Sequence, residues 1–80
     1  MHTLSINPTI VPMKAVRSSC IAKIGYDEMS KTAIVKFQSG GLYTYSNVKS
    51  VTMTRWLKSR SLGRYFQRNI RPHYDYKRVN

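Results

Sequence analysis

Carboxylates, cysteine and long apolar runs are what this chain is short of, and each shortage excludes something. Three Asp and Glu stand against 14 Lys and Arg, which leaves a formal net charge of +11 and a pI near 10.3. So few acids cannot neutralise the cations internally, and the field attracts polyanions: RNA, DNA, anionic lipid or an acidic protein face. A single cysteine, Cys20, rules out an intrachain disulfide, the usual staple of small secreted domains, and points to a reducing, cytoplasmic setting. Apolar stretches end after two or three residues, far below the roughly 18 that a membrane-spanning helix needs. The first residues, Met1 to Pro8, carry neither a charged n-region nor a continuous apolar run, so a secretory signal is not expected.

What is present argues for a small folded unit. Eighty residues suffice for one domain, with a marginal core that buries only about 60% of the unfolded chain's surface. A hydrophobic fraction of 41%, including six Tyr, two Phe and one Trp, is too high for a disordered basic tail. Cations are unevenly placed. Residues 1–40 hold Lys14, Arg17, Lys23, Lys31 and Lys36 against Asp27 and Glu28, whereas residues 41–80 hold three Lys and six Arg against Asp75 alone. Arginine is the better phosphate ligand, because its planar fork meets two oxygens at once and stacks on bases.

Residues 1–13, with Pro8, Pro12 and no clean period, read as a flexible extension; residues 14–80 form the domain. From Ser19 to Tyr26 the alternation puts Cys20, Ala22, Ile24 and Tyr26 on one strand face and Ser19, Ile21, Lys23 and Gly25 on the other. Asp27 to Lys31 supply a turn, and Thr32 to Gln38 form a second strand with Ala33, Val35 and Phe37 on one side. Ser39-Gly40-Gly41 offers positive φ for a tight hairpin into Leu42 to Tyr45, where Tyr43 and Tyr45 share a face. Ser46 and Asn47 are candidate caps for a helix whose stripe is Val48, Val51, Leu57 and one of Met53 or Trp56. Leu62, Tyr65, Phe66, Asn69 and Ile70 then recur at helical spacing until Pro72. The predicted fold is α+β: a three-stranded antiparallel meander with one or two C-terminal helices on its apolar face, in the order β-β-β-α-α.

An ordered series of residues now coincides with a known family: Val16, Ser18-Ser19, Ile21, Gly25-Tyr26-Asp27, Val35-x-Phe37, Gly41-x-Tyr43-x-Tyr45, Val48, Ser61-x-Gly63-x-Tyr65-Phe66, Ile70-Arg71 and Tyr74. Over residues 14–76 the chain resembles a KTSC domain. That family is a small module appended to the C-terminus of some lysyl-tRNA synthetases, found also as short stand-alone bacterial and phage proteins with a central YxY motif. The resemblance implies the architecture just derived and a connection to tRNA biology, and it carries over no catalytic residue. The cations from Arg55 to Arg68 depart from its pattern.

The sharpest physical signal is Arg60, Arg64, Arg68 and Arg71, spaced 4, 4 and 3. On an ideal helix these fall within about an 80° sector, opposite the apolar positions. Such a stripe is either a solubilising face or a binding face for phosphate or an acidic partner; Arg55 and Lys58 extend it. Tyr43 and Tyr45 invite comparison with aromatic platforms that stack single-stranded bases, although core packing with hydroxyls at the edge is the stronger reading. Residues 72–78, mixing Tyr74, Tyr76, Lys77 and Arg78, either follow a nucleic-acid strand or close the sheet as a final strand. Trp56 belongs in the core or, if exposed, anchors a partner.

Catalysis finds little support. Cys20 sits on the expected apolar face, where a buried thiol is unreactive, and His73 is remote in sequence. Asp27-Glu28 reads as turn chemistry, and no Cys or His pair has zinc spacing, so neither metal nor cofactor is expected. Two functions remain. The first is a non-enzymatic nucleic-acid-binding module, RNA or tRNA before DNA, using Arg55, Lys58, Arg60, Arg64, Arg68, Arg71, Tyr43 and Tyr45. The second is a phage-type effector that docks on an acidic or nucleic-acid-binding surface of a host machine. A membrane partner is not expected, because the arginine helix has only a modest apolar face, which the core needs.

Overall fold

A computed structural model describes residues 13–80. The expected extension over residues 1–13 therefore lies outside the described residues except for Met13, which opens a strand. In chain order the elements are β1 (Met13–Ala15), β2 (Ile21–Asp27), β3 (Thr32–Phe37), β4 (Leu42–Tyr45), α1 (Ser50–Leu57), α2 (Leu62–Tyr65), a π-helical segment (Phe66–Ile70) that continues α2, and β5 (Tyr76–Arg78). All five strands join one antiparallel sheet in the order β1-β2-β3-β4-β5. The α+β class and the central meander stand as expected, and the sheet has two strands more. Both additions are three-residue edge strands, too short to establish a period. Short, charged edges discourage pairing with other chains, and for the same reason they leave no period to read.

The face assignment of the first predicted strand is corrected by a bulge. Ile21 pairs with Phe37 and Lys23 with Lys36, so Ala22 is an extra residue on β2. The inserted residue reverses the alternation beyond it. Ile21 and Ile24 consequently share the buried face with Tyr26, opposite Phe37, Val35 and Ala33. Cys20 lies before the strand and is half-buried, not aligned with Ala22 and Ile24 on an apolar face.

The first helix also differs in phase. Asn47 adopts φ 60°, and helix α1 begins at Ser50 after Lys49, whose side chain makes no capping bond. Val48 is instead tied between strands: its N–H donates to the Lys31 carbonyl at 2.8 Å and its carbonyl accepts from the Tyr26 hydroxyl. Within α1 both Met53 and Trp56 are buried, whereas Val51 and Leu57 are 52% and 47% exposed. A helix this short presents one pair of side chains to the sheet, and burying the indole removes the larger apolar area. Trp56 is wholly inside, its Nε1–H donating to the Leu62 carbonyl at 3.0 Å and its ring stacked on Phe66 at 5.9 Å.

Ile21, Ile24, Ala33, Val35, Tyr45, Val48, Met53, Trp56, Phe66 and Ile70 form the core between sheet and helices. Phe66 is its hinge point, touching Trp56 on one side and Phe37 and Tyr45 edge-on at 5.3 and 5.4 Å on the other.

Candidate nucleic-acid interface

Three of the predicted arginines do gather, and a fourth cation joins them from an unexpected direction. Ser61 caps α2, its hydroxyl accepting from the Arg64 N–H at 3.2 Å. On the facing loop, Ser18 Oγ accepts from the N–H groups of Cys20 at 3.3 Å and Ile21 at 3.2 Å, which folds residues 17–20 into a compact turn. Gly63 allows the helix to meet that turn closely: a Cβ there would stand 2.8 Å from Cys20 Sγ. The approach brings Arg17 beside Arg60, Arg64 and Arg68 around a concavity of about 410 Å³ whose lining includes Ser18, Ser19 and Ser61 and no carboxylate. Its chemistry is that of an anion site: planar, permanently charged forks and hydroxyl donors, with no acid to quench them.

Arg71 does not belong to this group, which corrects the expectation of one continuous stripe. The Arg71 N–H donates to the Phe66 carbonyl at 2.9 Å, an i to i+5 bond. Each residue accommodated in such a wide turn sets the following side chains back by about 100° relative to an α-helix. Arg71 thereby lines a second concavity, of about 490 Å³, with Tyr43, Tyr45, Phe66, Tyr76 and Arg78. Gln67 borders both concavities and accepts a hydrogen bond from Arg71 Nη1 at 3.1 Å. Arg60 in turn precedes the Ser61 cap, so its position comes from the loop and not from helical spacing.

Tyr45 is packed under Phe66 and 3% exposed, as the core reading expects, while Tyr43 is half-buried at the rim. Burial pushes the Tyr45 phenol up to about 12, the Arg71 guanidinium opposing that shift and the Tyr43 and Tyr76 hydroxyls adding to it. Arg55, in the last turn of α1, and Lys58, its C-cap, border neither of the two concavities. Asp27 serves the β2–β3 turn, accepting from the Met29 N–H at 3.1 Å and the Ser30 hydroxyl at 3.0 Å. Among the described residues no three His, Cys, Asp or Glu side chains converge as a metal site, and no helix is long and apolar enough to cross a membrane.

Three site residues escaped the sequence reading as ligands: Arg17, Tyr76 and Arg78. Arg17 precedes the strand pattern, and only the Gly63 contact reveals its neighbours. Tyr76 and Arg78 stood in a segment with two open readings, and β5 resolves it as a strand: Tyr76 pairs with Tyr45 and Arg78 with Tyr43. Asn80 fastens the end of this strand, accepting from the Leu42 N–H at 3.0 Å and donating to the Gly40 carbonyl at 2.8 Å.

Comparison with known proteins places this geometry in a family. The model of the KTSC domain family matches residues 17–74. An uncharacterised protein of Stutzerimonas stutzeri (strain A1501) is 37% identical over 67 residues, 82% of this chain and 94% of that protein. The crystal structure of a KTSC domain protein from Yersinia pestis superposes with a TM-score of 0.85 at 26% identity, over 88% of this chain and 99% of that one.

Proposed function

The chain belongs to the KTSC domain family, and from that premise we propose that it is a non-enzymatic nucleic-acid-binding module of the cytoplasm that holds phosphates in its four-arginine concavity. The observation that carries this is the convergence of Arg17, Arg60, Arg64 and Arg68, drawn from two separate parts of the chain, on a hollow without a carboxylate. Like charges so close repel, at a small cost per pair, and an anion in the hollow relieves that repulsion. The family's synthetase context puts RNA ahead of DNA.

Binding of this kind is dominated by counterion release. Four phosphate contacts give a log–log salt slope of about −3 to −4, and each contact removed lowers its magnitude by about 0.7 to 0.9. Fluorescence anisotropy with labelled tRNA, single-stranded RNA and duplex DNA over a salt series tests this. An Arg64→Ala/Arg68→Ala double variant, altered only at exposed positions, is expected to lower the magnitude of the slope by about 1.4 to 1.8. An unchanged slope would place the phosphate contacts elsewhere. Weak binding that salt abolishes for all three ligands, together with capture of one stoichiometric protein from nuclease-treated lysate, would favour the competing effector role, in which the same cations dock on an acidic protein surface.

A further inference from the structure

Beside the arginine hollow, the second concavity has the composition of a base-binding site. Its floor is aromatic: Phe37 and Tyr43 meet edge-on at 5.5 Å, and Tyr45 is clasped by Phe66. Over this floor stands Tyr76, 61% exposed, its ring 5.8 Å from that of Tyr43 and 5.9 Å from that of Tyr45. Tyr76 leans against those rings, tilted by 46° to Tyr43 and 32° to Tyr45, and most of it meets solvent. In a domain of this size a large ring is normally drawn into the core, and here the core is complete without it. Two cations flank the rings: Arg78 lies 5.9 Å over the Tyr43 ring, and Arg71 is near enough to the Tyr45 hydroxyl to oppose the effect of burial on it. An aromatic shelf bounded by guanidinium groups attracts a flat π-face that carries negative charge on either side.

We infer that this concavity receives an unpaired nucleobase of a single-stranded nucleic acid, stacked on Tyr76, while the neighbouring phosphates occupy the arginine hollow. The inference rests on the phosphate reading above and deepens it, since it specifies a single strand. Gln67 is the join between the two hollows, bordering both, so a strand that leaves the shelf across Gln67 enters the arginine cluster directly. The π-helical turn creates this arrangement, because an uninterrupted α-helix would have returned Arg71 to the side of Arg64 and Arg68 and left the shelf with one cation fewer. Duplex nucleic acid, whose bases are already stacked within the helix, has no free π-face to offer the shelf.

The test compares a single-stranded oligonucleotide with an abasic strand of equal length and charge, titrated by anisotropy into the wild-type protein and into Tyr76→Ala and Tyr76→Phe. Stacking of one base favours the base-bearing strand by roughly 5- to 150-fold. Tyr76→Ala is expected to abolish that preference without altering the affinity for the abasic strand or its salt slope, and Tyr76→Phe to retain it. A fluorescent adenine analogue in the strand, quenched by the wild type and by Tyr76→Phe, reports stacking without relying on the alanine variant. Equal affinity of the wild type for both strands, or a preference that survives Tyr76→Ala, would overturn the base site and leave the phosphate site intact. If neither strand binds at low salt, both readings fall.

Discussion

At the scale of single residues, Tyr45 shows how one side chain serves the core and the site together. Its ring was legible from the sequence as a core element, because the YxY spacing puts it on the same strand face as Tyr43 beside Val35 and Phe37. Its proximity to Arg71 was not legible, because that depends on a helical irregularity with no residue signature. Folded Tyr45 keeps its proton up to about pH 12, whereas the same phenol in the unfolded chain loses it near 10.0. Its neutral form therefore contributes stability that is fully present below pH 10 and is lost as the pH rises toward 12. Denaturation midpoints measured across this range are expected to fall for the wild type and to fall less for Tyr45→Phe. Tyr26, whose phenol is also raised by burial and by the nearby Glu28 and Asp27 carboxylates, accounts for part of the fall that remains. Identical alkaline profiles for the two proteins would contradict the burial of the Tyr45 hydroxyl.

Among the secondary-structure elements, strands β2 to β4 could be read because each is half-buried and repeats its apolar residues with a period of two. β1 and β5 could not, since three-residue edge strands are too short to establish such a period. Two one-residue insertions defeated the finer reading in the same way. The bulge at Ala22 turned over one end of β2, and the π-helical turn after Tyr65 rotated Arg71 out of line. Neither has a composition signal; each accompanies a buried isoleucine, Ile21 or Ile70, in the core. The docking of α2 on the residue 17–20 turn depends on Gly63, which gives a sharp prediction. Alanine in place of a helical glycine ordinarily gains about 1 kcal/mol, but here its Cβ would lie 2.8 Å from Cys20 Sγ. Overpacking of that kind costs about 1 to 3 kcal/mol, so Gly63→Ala is expected to be destabilising overall in urea denaturation. In a Cys20→Ala background the sulfur is gone and the same change should become neutral or stabilising. A destabilisation of equal size in both backgrounds would mean that Cys20 is not what Gly63 makes room for.

For the molecule as a whole, the sequence already stated the main fact, a surplus of cations concentrated in the second half. It could not state how they are distributed over the surface, because the grouping crosses elements: Arg17 from before β2 meets Arg60 from the approach to α2, Arg64 from α2 and Arg68 from the π-helical segment, while Arg55 and Lys58 stand apart. A general positive field and a built phosphate site therefore make different claims about charges that are equal in number and unequal in place. The most direct test removes one arginine of each kind, Arg17→Ala and Arg55→Ala, and measures the salt dependence of single-stranded RNA binding for both. Both side chains are exposed and both variants lose one positive charge. With a phosphate site in the concavity, Arg17→Ala lowers the magnitude of the log–log slope by about 0.7 to 0.9 and weakens binding, and Arg55→Ala leaves the slope unchanged. Equal losses from the two substitutions would mean that the charge acts as a diffuse field and that the concavity is not the site.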